Sequence, residues 1–566
     1  MGAPLLAALG LLSAVLLTLG TGGAETRSVI VQGVDLAGAR SAVTAVGGQI
    51  THELGVIRAV AVKLTPTQID HLTASTAVTR IYADRIASTS AKGGNAAANT
   101  LSTSATDSST SGESPDADPL AVPAVVSATG LHQAGITGQG VTIAFVDTGL
   151  SEWSELAWER NRHRVRAGYD SMVDREYLDT WMTDWSGHGT HVASVAVSLK
   201  SERKTGRYEG VAPGADLVVV QAFNDSGQGT YADVIRGISW IVENKDLYDI
   251  RILNLSFSAP PNSHYWDDPL NQAVMAAWQA GIVVVASAGN TGPEPMTIGV
   301  PGNLPYVVTV GSMTDGYTPH DRTDDRLASF SSAGPTHEGF VKPEVLAPGG
   351  HVKAIMDSAA EIAKQHPGFH DGARYFTMSG TSQSAAVVSG VAALLLQADP
   401  SLSPDDVKCR LLASAQAASG ANGGHAYGIL QQGAGLVNAY DAVYGTETGC
   451  ANRGLDIAAD LAGEQHYAGP VRQDADGNFY IEGPDGMLYS GSFLWSDSFL
   501  WSDSFLWSDS FLWSDSFLWS DSFLWSDSFL WSDSFLWSDS FLWSDSFLWS
   551  DALAESVANN VWVPQE

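Results

Sequence analysis

Five short stretches of this chain, residues 141–146, 217–222, 250–257, 282–288 and 306–312, are apolar along nearly their whole length and rich in β-branched residues. Such runs are too short for buried helices and read as strands covered on both faces. Helical stretches at 230–244 and 270–280 fall between several of them. Strands alternating with helices predict an α/β fold, a mostly parallel sheet with helices on both faces. In that architecture functional groups gather at the carboxyl ends of the strands, so the residues that follow each strand are the first to weigh.

Asp147 directly follows the strand VTIAFV and precedes Thr148 and Gly149. A carboxylate there takes hydrogen bonds from its own turn and still offers an oxygen to a neighbour. A plain turn residue explains it equally well. The sequence DTG also suits an aspartic protease, which needs a second such loop. The only obvious mate, Asp225-Ser226-Gly227, reads as a surface turn between Asn224 and Gln228-Gly229. His188 lies between two glycines in SGHGTHVASVAV, where backbone can close around an imidazole. His191 raises a zinc alternative, but the HExxH pattern needs a spacing of four and a catalytic Glu, whereas here the spacing is three with Gly189 in the Glu place. His191 therefore reads as a packed helix residue. Asn290 ends GIVVVASAGN as either a turn residue or a neutral donor for an oxyanion. Ser382 sits after Gly380 at the start of an apolar helix, where free N–H groups and the helix dipole favour negative charge. A simple helix cap is the competing explanation.

Taken together, these residues supply acyl transfer to water: a hydroxyl nucleophile, an imidazole to take its proton, and a carboxylate to orient the imidazole. The motifs around Asp147 and His188, GVAPG at 210–214, residues 286–292, ASFSSAGP at 328–335, KPEVLAPG at 342–349 and Gly380 to Ser382 follow one order. In this the stretch 120–444 resembles the subtilisin-family serine proteases, the subtilases.

The resemblance implies a subtilisin-like fold with Asp147 as orienting carboxylate, His188 as base and then acid, and Ser382 as nucleophile. Asn290, with the Ser382 N–H, would form the oxyanion hole. Ser226, Gly227 and Gly229, with Leu255, Ser256, Phe257 and Ser258, resemble the two segments that clamp an extended peptide. No organic cofactor is expected for the chemistry; structural calcium is possible by resemblance, with no ligand set to name. Two departures stand out. Gln383, Ser384, Ala385 and Ala386 replace the family's Met, Ala, Thr and Pro, which removes an oxidisable thioether beside the nucleophile. Ser258 and Ala259 replace a glycine pair, which predicts a narrower primary pocket.

Residues 1–24 read as a signal peptide ending in small residues, and no other stretch reads as a membrane span, so a secreted protein, retained or not at the cell surface, is expected. Residues 25–86 alternate strands and helices as a small α+β unit. It resembles the inhibitory propeptide of the family, which would be an intramolecular partner of the peptidase; an unrelated accessory domain is the alternative. Residues 87–118 are Ser-, Thr-, Ala- and Gly-rich and read as a disordered linker open to cleavage. The peptidase domain follows at 119–447, then a turn-rich connector with a hairpin at 448–491. In it Asp474, Asp476 and Asn478 suggest an acidic loop, but Phe479 stands where a calcium loop needs Gly. Residues 492–551 are ten copies of SFLWSD, and 552–566 close the chain. The six-residue period suits a β-rich stack with Phe, Trp and Asp on one face, able to bind a surface or other repeats, and equally suits a passive extension. A catalytically silent adhesin whose repeats do the binding is therefore the rival reading. Polypeptides are the expected substrates. A net charge of −33 argues against nucleic acid as a partner. Cys409 and Cys450 form either one bridge or two free thiols.

Overall fold

The structure, a computed structural model, describes residues 26–89, 118–159, 162–177, 183–418, 426–475, 478–482 and 488–489. The expected signal peptide, nearly all of the linker, the hexapeptide repeats and the C-terminal segment lie outside the described residues.

The N-terminal unit runs β1 (Arg27–Gly33), α1 (Leu36–Ala45), β2 (Gln49–Leu54), β3 (Ala59–Leu64), α2 (Pro66–Thr73), β4 (Val78–Ala83) and β5 (Ile86–Ser88). The first four strands form one antiparallel sheet in the order β2-β3-β1-β4. Alternation divides its residues between two faces. Val29, Val31, Val60 and Val62 pack with Val43 and Leu72 of the two helices. Ile30, Ala59 and Ala61 instead join the large core of the central domain. The helices start where the sequence caps them: Asp35 accepts from the Gly38 N–H, and Thr65 with Gln68 forms a capping box ahead of Pro66.

In the central domain, parallel strands β6 (Thr142–Asp147), β7 (Val165–Asp170), β9 (Asp216–Gln221), β11 (Ile250–Leu255), β12 (Val283–Ser287), β13 (Val308–Thr314) and β15 (Val345–Pro348) form the sheet; β8 (Arg175–Tyr177) and β14 (Arg326–Leu327) pair antiparallel to it. The order is β8-β7-β9-β6-β11-β12-β13-β14, with β15 also on β13, nine strands among the described residues. The sheet is thus mixed and mostly parallel. The chain leaves β6 toward β7 and β9 on one side and later returns to β11 on the other, so Asp147 ends a strand at the point where strand order reverses. Helix α3 (His188–Val197), α4 (Tyr231–Asn244), α5 (Pro269–Gln279) and α6 (Thr381–Ala398) cover it. Helix α6 is long and apolar enough to cross a membrane, yet Thr381 through Leu396 are buried in the protein core.

The N-terminal unit lies on α4 and α5. His52 Nε2 meets Asp233 Oδ1 at 2.9 Å, Asp84 caps α4 through the Ala232 N–H, and Gln272 bonds Gln32 and Tyr82. Arg80 pairs with Asp267, and Arg85 with Asp268.

Three expectations change. The linker does not begin at 87, because 86–89 are ordered as a strand and its continuation. The connector contains an unexpected helix, α8 (Ile457–Ala462) once α7 (Pro404–Ala413) is counted, whose buried Asp460 takes hydrogen bonds from Tyr265 and Tyr306. Its hairpin is three-stranded, Val471–Gln473 pairing with Phe479–Glu482 and that strand with Leu488–Tyr489. Asp474 and Asn478 close the turn, the Asp474 N–H donating to the Asn478 carbonyl at 3.0 Å and the Asn478 N–H to Asp474 Oδ1 at 2.8 Å. Cys409 and Cys450 are joined, with Cα atoms 5.2 Å apart, which ties α7 to the start of the connector.

Candidate active site

The site collects at the carboxyl edge of the sheet. Asp147 is the last residue of β6, His188 the first of α3, Asn290 follows β12 by three residues, and Ser382 is the second residue of α6. Asp147 Oδ1 lies 2.7 Å from His188 Nδ1 and accepts the Thr148 N–H at 2.7 Å; its Oδ2 is buried without a hydrogen-bond partner among the described residues. The glycine after His188 has a steric reason. A Cβ on Gly189 would stand 2.3 Å from the Gly149 carbonyl oxygen, so only glycine lets the Asp147 turn and the His188 helix touch.

A buried carboxylate that the sequence reading passed over joins these two elements. Asp184 Oδ1 accepts from Thr148 Oγ1 and Gly187 N, both at 2.8 Å. Its Oδ2 accepts from Thr190 N at 2.8 Å and Thr190 Oγ1 at 2.7 Å. Thr148 Oγ1 in turn accepts the Gly189 N–H at 2.9 Å. Burial pushes the Asp184 carboxyl up, against these bonds. For His188, burial disfavours the imidazolium, but the charge and hydrogen bond of Asp147 outweigh it with help from Asp184, and the pKa lies above the ordinary value.

Asn290 Oδ1 accepts both the N–H and the hydroxyl of Thr381 at 2.9 Å, which orients its Nδ2 toward the turn before Ser382. A Cβ on Gly380 would meet Asn290 Nδ2 at 3.5 Å and the Ser382 nitrogen at 3.8 Å, so both donors border the same small space. It would also stand 2.9 Å from Gln383 Oε1. With φ 167° the Gly380 backbone is extended, ahead of the first turn of α6. Ser382 Oγ donates to the Ser256 carbonyl at 3.1 Å and not to His188, while Ser256 Oγ donates to the Ser382 carbonyl at 2.9 Å.

His191 is fully buried with Nε2 3.1 Å from the Phe376 carbonyl and Nδ1 3.3 Å from the Gln383 amide nitrogen. With Nε2–H donating and Nδ1 accepting, the ring is neutral, and burial lowers its pKa to about 4. It acts as a packed helix residue whose partner is the side chain that replaces the family's methionine.

Beside this centre runs a cleft filled by the N-terminal unit's own chain. Strand β5 pairs antiparallel with β10 (Gln228–Thr230), in the register Ser88 to Gln228, Ala87 to Gly229 and Ile86 to Thr230. The Thr89 N–H continues this edge by donating to Gly227 O at 3.0 Å, and on the other edge Ser88 exchanges both backbone hydrogen bonds with Ser258, at 3.2 and 3.0 Å. Among the residues anticipated for peptide binding, Gly227, Gly229 and Ser258 touch this strand. Ser226 does not; its N–H and hydroxyl both close the turn on Asn224 Oδ1. Leu255 and Phe257 are buried, Phe257 against Phe223 at 5.0 Å between ring centres. Gln228, within the anticipated segment 226–229, pairs with Ser88, while Thr230 belongs to the clamp without any sequence signal, since nothing but pairing marks it. Ser258 packs beside two glycines: its Cβ lies 2.9 Å from where a Cβ on Gly299 would stand, and its Oγ 3.7 Å from that of Gly289.

Comparison with known proteins agrees with this geometry. A family model described as the subtilase family matches residues 138–435, more than half of the chain. The chain is 41% identical over 278 residues to serine protease AprX of Bacillus subtilis, a match covering 48% of this chain and 60% of that protein. It is 33% identical over 299 residues to subtilisin DY of Bacillus licheniformis, covering 52% of this chain and 91% of that protein. Fervidolysin from Fervidobacterium pennivorans, a keratinolytic enzyme related to subtilisin, shares the fold with a TM-score of 0.56 at 24% identity, over 75% of this chain and 62% of its own. With the family match spanning the strand that ends in Asp147, the turn that holds Asn290 and the helices that begin at His188 and Thr381, the chain belongs to the subtilase family.

Proposed function

We propose that the protein is a serine endopeptidase that hydrolyses peptide bonds through an acyl-enzyme, made as a precursor whose N-terminal unit blocks its own cleft. The observation that carries this reading is the peptide strand 86–89 held between 227–230 and Ser258, beside the hydrogen-bonded Asp147–His188 pair and Ser382. A clamp built on main-chain hydrogen bonds accepts extended polypeptide with little regard to sequence.

In this reading Ser382 turns its hydroxyl from Ser256 O toward His188, which takes the proton as the oxygen adds to a substrate carbonyl. The Asp147 carboxylate holds His188 Nδ1–H and stabilises the imidazolium that forms. The oxyanion is received by Asn290 Nδ2 and the Ser382 N–H at the N-terminal end of α6. Export through the apolar leader, release of the unit by self-cleavage and a binding role for the repeats complete the proposal. Among the described residues there is no group of three or more His, Cys, Asp or Glu that could hold a metal, so no calcium ligands are assigned.

The test is to express the chain from Glu25 onward beside Ser382→Ala and follow both by intact mass with a serine-directed fluorophosphonate. A parent that sheds its N-terminal unit and takes one label, beside a mutant that does neither, supports the proposal. Two folded, full-length and unlabelled proteins would turn the reading toward the silent adhesin.

A further inference from the structure

Strand β11 carries a buried amide through the middle of the sheet, and its hydrogen bonds lead to Ser382. Asn254 is 0% exposed and lies between Phe145 of β6 and Val285 of β12. A buried amide costs stability unless its groups find partners, whereas an apolar residue there would need none. Asn254 Oδ1 accepts from Ser389 Oγ at 2.9 Å, and its Nδ2 donates to Ser256 Oγ at 2.8 Å. Ser256 Oγ in turn donates to the Ser382 carbonyl at 2.9 Å. Ser389 follows Ser382 by seven residues, about two helical turns, so both lie on one face of α6. The bonds therefore leave the helix at Ser389, cross β11, and return to the helix at the nucleophile.

We infer that Ser389, Asn254 and Ser256 are positioning residues that hold Ser382 for attack through a buried hydrogen-bond chain of fixed direction. This rests on the proposed peptidase reading and extends its machinery beyond the groups that touch the substrate.

The direction follows from the groups themselves. An amide oxygen only accepts and an amide nitrogen only donates. With the Ser389 hydroxyl on its oxygen, Asn254 turns its nitrogen to Ser256. The Ser256 oxygen receives that N–H and sends its own proton on to the Ser382 carbonyl. Ser256 and Ser389 are themselves 0% exposed, so water offers neither of them another partner.

At the end of the chain Ser256 and Ser382 are bonded twice, the hydroxyl of each to the carbonyl of the other. The bond from the Ser256 hydroxyl fixes the opening turn of α6 against the end of β11. The bond from the Ser382 hydroxyl keeps the nucleophile where it can turn to His188. Ser258, two residues beyond Ser256, exchanges both backbone bonds with Ser88 of the tail. One short segment thus sets both the extended peptide and the nucleophile, and the chain from Ser389 fixes that segment from the core side.

The experiment measures kcat and KM for a small chromogenic peptide, and the rate at which Ser382 takes fluorophosphonate. It compares the enzyme expressed from Glu25 onward with Ser256→Ala, Ser389→Ala and the double variant. Ser256→Ala should lower kcat and the labelling rate about tenfold and Ser389→Ala about threefold, with KM within about twofold of the parent. Because Ser389 acts only through Ser256, the double variant should be no slower than Ser256→Ala alone, whereas two independent packing losses would multiply. Asn254→Asp serves if Ser256→Ala does not fold. Its carboxylate accepts from both serines, draws the Ser256 proton off the Ser382 carbonyl, and should slow labelling to the same extent. Parental kcat and labelling in the folded variants, or a multiplied loss in the double variant, overturns the chain and leaves the peptidase reading standing. A parent that neither hydrolyses the peptide nor takes label overturns both this inference and the reading beneath it.

Discussion

Replacing Asp184 by Asn tests whether the link between the Asp147 turn and the His188 helix matters to the chemistry. The carboxylate accepts four hydrogen bonds, two on each oxygen. An amide keeps one acceptor oxygen and turns an NH₂ toward the other two donors. Whichever way it faces, a buried backbone N–H, of Gly187 or Thr190, loses its acceptor, at a cost of about 1–3 kcal/mol. A loss of that size, felt as misplacement of His188 against Asp147, corresponds to roughly a 5- to 150-fold fall in kcat/KM. A second readout separates positioning from mere stability. Asp184 is one of the charges that raise the His188 pKa, and in the proposed mechanism His188 must be neutral to accept the Ser382 proton. Removing the charge lowers that pKa, so the acid limb of the kcat/KM profile should move to lower pH. The assay is hydrolysis of a small chromogenic peptide from pH 4 to 9 by the processed enzyme, with a parallel melting curve. Parental kcat/KM with an unmoved acid limb would refute the reasoning, and a lowered melting point alone would leave Asp184 only a structural role.

Three other outcomes follow from the same contacts. Under the proposed mechanism, in which Asn290 Nδ2 receives the oxyanion, Asn290→Ala should lower kcat about 100- to 1000-fold with KM little changed, and steady-state kinetics will show the split. The buried His191 has a folded pKa of about 4 against an ordinary value near 6.5. Between these values the unfolded chain binds more protons, so stability should fall as pH drops from about 6.5 to 4, by about 3 kcal/mol, and His191→Gln should flatten that slope in denaturant melts. Replacing Cys409 and Cys450 together by Ser opens a loop with a sequence separation of 41, which should cost about 4 kcal/mol in the unfolding free energy while leaving kcat/KM at 25 °C intact.

The buried strands were legible because a parallel sheet covered on both faces forces continuous apolar runs, and 141–146 and 217–222 fall within one residue of Thr142–Asp147 and Asp216–Gln221. The helix Leu36–Ala45 was legible from its periodicity and the glycines after it. The strand Ile86–Ser88 was not, since it has no pattern of its own and is ordered only by partners some 140 and 170 positions away. The helix Ile457–Ala462 is too short to show a period.

The sequence by itself determined the residue types of the chemistry, the order in which they occur, and the strand ends and helix starts that carry them. Local composition encodes burial and turns, and these need no distant partner. Only the tertiary structure decided that Asp184 ties Asp147 to His188, that Gln383 holds a neutral His191, that Cys409 meets Cys450, and that residues 86–89 lie in the cleft in one register. Each of these joins segments distant in the chain or depends on the exact direction of a side chain, and no local pattern of residues records which partner a buried polar group will find.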